Sequence, residues 1–167
     1  MSEKQVVIYW DSTALLSYLF KDSHSEEIME RARARGVHLL TTLAAAEVYT
    51  VISRIHRERV LPDVMIDSLF ELLEKGPWSR LNIVPDRSAL KELARRWPLK
   101  GSGLWHLATA LTLQREFPEL MVLTLNEDLA RASRGEKLKL CLTLNGRQIK
   151  KRKSKNSREK NGRDGIT

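Results

Sequence analysis

The chain has 167 residues, enough for one domain with a sizeable core and little beyond it. Hydrophobic residues make up 42% and charged residues 30%, a globular balance. No apolar run approaches the roughly 20 residues that cross a bilayer, and the single cysteine, Cys141, excludes an intrachain disulfide and a cysteine-rich zinc site. The net charge of +8 is concentrated at one end. Residues 147–167 carry nine Lys/Arg against two acids, whereas residues 1–146 carry 20 against 19. The expected organisation is therefore a nearly neutral domain over 1–146 and a basic, disordered tail over 147–167. The stretch Val6 to Trp10 ends at Asp11, too soon for a signal peptide, so a cytoplasmic protein is expected.

In chain order, Gln5 to Trp10 predicts a buried strand, and Ala14 to Phe20 a short helix. Ser23-His24-Ser25-Glu26 resembles a capping box that opens a helix to Arg35, stopped by Gly36. Val37 to Thr41 predicts a second strand. Ala44 to Glu58 predicts a long helix, with Val48, Val51, Ile52 and Ile55 on one face. Pro62 suits the first turn of a helix running to Glu74, and Leu81 to Val84 predicts a third strand. Arg87 to Trp97 predicts a helix closed by Pro98. Ser102 is placed to cap the next helix, whose Leu104, Leu107, Ala108 and Leu111 follow the helical period. Leu120 to Thr124 and Leu138 to Thr143 predict the last two strands, with a short helix from Asp128 to Ser133 between them. Strands alternating with helices imply an α/β fold, its mostly parallel sheet covered on both faces.

Ligand and catalytic sites in parallel sheets form at the carboxyl ends of strands. Asp11 follows the first strand, Glu47 sits near the start of the helix after the second, and Asn126, Glu127 and Asp128 follow the fourth. Each acid alone can be a helix cap. An acid among Ala44, Ala45 and Ala46, however, needs a partner. Carboxylates that converge at one sheet edge need a cation, and hard oxygen donors suit Mg²⁺ or Mn²⁺. The histidines His24, His38, His56 and His106 lack the spacing of a metal motif, and His106 reads as a packed helix residue. Trp10, Trp97 and Trp105 read as core aromatics more readily than as base-stacking platforms. Arg54, Arg57 and Arg59 read as a solvated helix face. Leu15, Tyr18, Leu19, Phe20, Ile28 and Met29 form either core or a contact surface.

The ordered set VVIYWDSTALL, TLAAAEVYTVI, HLATAL and TLNEDLARAS, within residues 5–144, resembles the PIN-domain family, most of all its VapC-type toxin ribonucleases. The resemblance implies a three-layer α/β/α fold with about five strands. It also implies an endoribonuclease that hydrolyses RNA phosphodiesters with Mg²⁺ or Mn²⁺ held by about four acids. As partners it implies a small antitoxin protein and a second copy in a homodimer. Asp11 and Glu47 match the first two acids, and Asp128 a further aspartate, so the implied catalytic set is Asp11, Glu47 and Asp128. Asn126 joins these three as a metal ligand. The sequence departs from the family at the third acid, which is Gly103, and at the fourth, which is Asn126. Activity is thus expected to be attenuated. The alternative is a catalytically inactive PIN-fold module that binds RNA or a protein. Lys150, Lys151, Arg152 and Lys153 in the tail are the candidate phosphate contacts for RNA.

Overall fold

The computed structural model describes residues 5–142. The order is β1 (Val6–Trp10), α1 (Ser12–Phe20), α2 (Ser25–Ala32), β2 (Gly36–Thr41), α3 (Thr42–Arg57), α4 (Asp63–Lys75), β3 (Trp78–Leu81), α5 (Arg87–Arg96), α6 (Gly101–Glu116), β4 (Met121–Leu123), α7 (Glu127–Gly135) and β5 (Lys139–Leu140). Among the described residues the strands form one sheet in the order β3-β2-β1-β4-β5. Every neighbouring pair is parallel, not merely most of them. β1 is central, which explains its unbroken apolar run: a strand covered on both faces has no polar side.

Alternation along β1 divides the core. Ile8 and Trp10 face one layer with Leu40 of β2, Ala14 and Leu15 of α1, Val48 and Ile52 of α3, and Leu73 of α4. Val7 and Tyr9 face the other with Leu93 of α5, Leu107 and Ala108 of α6, and Leu129 of α7. The result is a three-layer α/β/α sandwich. Trp10, Tyr18 and Trp78 meet edge to face, with centroids 5.0 to 6.2 Å apart.

Three local expectations are corrected. The third strand lies at Trp78–Leu81 rather than Leu81–Val84, because pairing with β2 sets its register, from His38 opposite Trp78 to Thr41 opposite Leu81. The capping box at Ser23 to Glu26 does not form. α2 has His24 at its N-cap without a side-chain bond, and Asp22 instead takes the His24 N–H at 2.9 Å and the Ser17 hydroxyl at 2.5 Å. Ser102 does not cap α6, which begins at Gly101 with Lys100 at the N-cap. Leu15, Leu19 and Ile28 are core residues, with Tyr18 and Phe20 packed against them. The large exposed apolar side chains of this layer are instead Val64, Met65 and Leu72 on α4, with Val60 before it. No helix among the described residues is long and apolar enough to cross a membrane. The tail from residue 147 lies outside the described residues.

Gly36 opens β2 where it passes β1. A Cβ there would lie 2.0 Å from the Val6 carbonyl oxygen, and its φ of +154° disfavours any side chain. Gly36→Ala is therefore expected to cost about 2–4 kcal/mol. The check is a lower urea midpoint with an unchanged slope; an unaltered midpoint would show that β1 and β2 can part without penalty.

Candidate functional site

Asp11 ends β1 and caps α1. Its Oδ1 accepts the Ala14 N–H at 3.0 Å, as one reading of the sequence allowed. The cap is only part of its bonding. The Thr13 hydroxyl lies 2.7 and 2.9 Å from its two oxygens, and the Thr124 hydroxyl donates to Oδ2 at 2.5 Å. Thr13 in turn accepts the Leu125 N–H at 2.8 Å, and Thr124 accepts the Asn126 N–H at 3.0 Å. The buried carboxylate thus ties β1 to the segment leaving β4. Burial pushes the Asp11 pKa above the ordinary value, against the opposing pull of the Thr124, Ala14 and Thr13 bonds.

Glu47 lies in the second turn of α3, because the helix starts at Thr42 rather than at the expected Ala44. It belongs to the other half of the arrangement. His106, 3% exposed on α6, stands between it and β1. The His106 Nε2–H donates to Glu47 Oε2 at 2.7 Å, and the Tyr9 hydroxyl donates to His106 Nδ1 at 2.6 Å. The carboxylate can only accept, which assigns the ring proton to Nε2 and leaves Nδ1 to receive the tyrosine proton. Burial, first of all, holds the Tyr9 pKa above its usual range; the Thr41 hydroxyl opposes this, and the charges of Asp11 and Glu47 add to it. Glu47 is 27% exposed. Burial disfavours its charged form, but the bond from His106 and the hydroxyls of Ser12 and Ser102 outweigh this and hold its pKa below the ordinary value. The partner that an acid among alanines needs is therefore His106. The expectation of a merely packed histidine missed this link, because 59 residues separate the pair. Ser102, Tyr9, Thr13 and Thr124 were missed as well.

The remaining sequence candidates stand apart from this pair. Asp128 is on the outer face of α7; its side chain is 64% exposed and its Oδ1 accepts from Arg131 at 2.6 Å. Asn126 is the N-cap of α7, its Oδ1 accepting the Asp128 and Leu129 N–H groups at 3.0 and 3.1 Å. Gly103 is buried in the first turn of α6. Glu127 is exposed. Trp10 is fully buried and donates to His38 Nδ1 at 3.1 Å, while Trp97 and Trp105 are half-buried. Arg54, Arg57 and Arg59 are exposed, as expected of a solvated face. Lys150, Lys151, Arg152 and Lys153 lie outside the described residues. Among the described residues, no group of three or more His, Cys, Asp or Glu side chains is placed to hold a metal ion. The donor set does not fit a four-acid centre: Asp11 is bonded by three groups of its own chain, Asn126 spends its oxygen on a helix, and Asp128 faces an arginine.

Comparison with known proteins adds the fold. No family model matches the chain, and no curated protein does. Among solved structures, the chain is similar to PAE2754 from Pyrobaculum aerophilum, with a TM-score of 0.51 and 14% identity over 78% of this chain and 81% of that one. At this identity the likeness speaks for the α/β/α architecture alone.

Two predictions follow from these bonds. Tyr9→Phe leaves His106 Nδ1 buried without a donor and is expected to destabilise the fold by about 1–3 kcal/mol, read as a shift in urea midpoint. A change within error would mean that water replaces the hydroxyl. The second concerns pH. An acid whose pKa is raised on folding holds its proton more tightly in the folded state, so its contribution is greatest below the unfolded value and is lost as pH rises toward the folded one. The stability of the wild type minus that of Asp11→Asn should therefore fall as pH rises above 3.8, the ordinary value. Denaturation over a pH series checks this; a rising or flat difference contradicts it.

Proposed function

We propose that this chain is a PIN-fold protein of the VapC-like class whose acidic centre has become structural, and that it binds RNA without cutting it efficiently. One observation carries the reading. The four positions at which the resemblance expects acids hold Asp11, Glu47, Gly103 and Asn126, and the two surviving carboxylates are hydrogen-bonded into the protein's own framework. The resemblance also supports the assignment through its segments. VVIYWD forms β1 and its end, TLAAAEVYTVI lies in α3, HLATAL in α6, and TLNEDLARAS leads from the end of β4 into α7. RNA is the partner that both the resemblance and the basic balance of the chain favour.

A second reading keeps attenuated Mg²⁺- or Mn²⁺-dependent ribonuclease activity, in a toxin that pairs with a small antitoxin or a second copy. The observation in its favour is Glu47, partly exposed and held in its charged form at the sheet edge. The exposed Val64, Met65 and Leu72 of α4 favour a protein contact in that reading.

The test combines binding and cleavage of a labelled RNA. The expected result is salt-sensitive binding, with cleavage in Mg²⁺ or Mn²⁺ no faster than that of Asp11→Ala. Cleavage that EDTA and Asp11→Ala both abolish would instead establish the second reading. Rebuilding the acids gives a further check. A Cβ at Gly103 would meet only Leu99, at 3.7 and 3.9 Å, which is ordinary contact, and Asp caps a helix as well as Asn. Gly103→Asp combined with Asn126→Asp is expected to raise metal-dependent cleavage by roughly tenfold or more, about 1.4 kcal/mol of barrier. No gain in a folded double variant would mean that the two positions do not limit the activity.

A further inference from the structure

The end of α5 and the end of α7 are locked together. Glu136, just past α7, accepts from the Trp97 indole N–H at 2.7 Å and from Arg96 at 2.6 Å. The Trp97 ring lies so close over Gly135 that a Cβ there would stand 2.2 Å from it. Cations lie close to Trp97 and Glu136 along the chain. Arg95, Arg96 and Lys100 flank Trp97, while Arg131, Arg134 and Lys137 flank Gly135 and Glu136, and all six are exposed. Arg131 is paired with Asp128 and Arg96 with Glu136. The other four have no ion pair among the described residues.

Some of this charge has a local explanation. Arg95, Arg96 and Arg134 sit in the last turns of their helices, where a cation is favourable to the helix dipole. Lys100 has no such explanation. It is the N-cap of α6, the end at which a cation is unfavourable, and it makes no side-chain cap bond there. Lys137, at φ +64° directly after the C-cap Glu136, shares the favourable helix end with Arg134. A cation held where the fold does not need it, beside two helix ends tied together through Trp97 and Glu136 and rich in other cations, makes a surface suited to a chain of phosphates.

We infer that this α5–α7 surface is where the folded domain holds the backbone of RNA, independently of the basic tail. The inference rests on the RNA-binding reading above and gives it a place. The tail supplies a charge background that is the same in every point variant, so the surface can be tested in the full chain.

The experiment measures anisotropy of a labelled single-stranded RNA oligomer over a salt series. Arg95→Glu combined with Arg134→Glu is expected to weaken binding by roughly tenfold or more at low salt and to flatten the log–log salt slope by about 1.4, the share of two phosphate contacts. Arg54→Glu combined with Arg57→Glu, an equal change of charge on α3, should alter neither by more than about a quarter of that. Lys100→Glu separates binding from folding: it should leave the melting temperature unchanged or raise it, since an acid suits a helix start, while weakening RNA binding roughly threefold. Should the double reversal fail to fold, Arg95→Gln with Arg134→Gln is expected to give the same slope change of about 1.4, since both phosphate contacts are lost, with a smaller loss of affinity. Equal losses in the α5–α7 and α3 variants would overturn the surface while leaving RNA binding intact. No RNA binding by the wild type would overturn both the surface and the reading on which it rests.

Discussion

Tyr9 passes its hydroxyl proton toward His106, and His106 passes its own toward Glu47, in two bonds of 2.6 and 2.7 Å. This short chain joins all three layers of the fold: Tyr9 is in the central strand, His106 in the helix layer on one face, and Glu47 in the helix layer on the other. Apolar packing would hold either layer to the sheet at many relative positions. A hydrogen-bonded chain through a buried ring accepts one, because each group lost from it leaves another unsatisfied in a dry place. Burying Glu47's charge this far is tolerable only because His106, Ser12 and Ser102 meet it. The position of α6 over β1, and so of Gly103 and Ser102 at the sheet edge, depends on this link.

Asp11 does related work a few ångströms along the chain. By accepting from Thr13, Thr124 and the Ala14 N–H it fixes the exit of β1 to the exit of β4. The same hydroxyls then take backbone donors of the β4–α7 segment, and Asn126 takes the first donors of α7. The side-chain oxygens of Asp11, Thr13, Thr124 and Asn126 thus each have a structural duty. Side chains so committed are poor ligands for an added ion, since each must first give up a bond inside the fold.

Much of this was legible in the sequence, and the failures have physical causes. Unbroken apolar runs such as VVIYW gave the parallel sheet, because a strand covered on both faces has no polar positions. The short strand WSRL was missed because it is an edge strand with its middle residues exposed, so no apolar pattern marks it. Asp11 and Glu47 were visible as acids in apolar settings. Their partners were not, because Thr124 and His106 are 113 and 59 residues away and nothing local signals such a bond. Asp128 was read as converging on the same edge. A helix start offers an aspartate two directions, and the side chain follows Arg131, one turn along on the outer face.

Charge gives the arrangement its consequence for a polyanion. Four ionised carboxylates at one strand edge, without a cation, would repel a phosphate backbone; in water-excluded surroundings that repulsion is large. This edge carries no acid at Gly103 and none at Asn126, while burial draws Asp11 toward its neutral form and His106 bonds Glu47. The repulsion is thus reduced at the sheet edge without any bound ion. At the α5–α7 contact, Glu136 is partly buried and bonded by Trp97 and Arg96, and Asp128 is paired with Arg131, while Arg95, Lys100, Arg134 and Lys137 remain in solvent. On the RNA-binding reading proposed above, such a surface would attract phosphate at a distance, while the sheet edge, with its acids bonded into the fold, would leave the RNA chain intact.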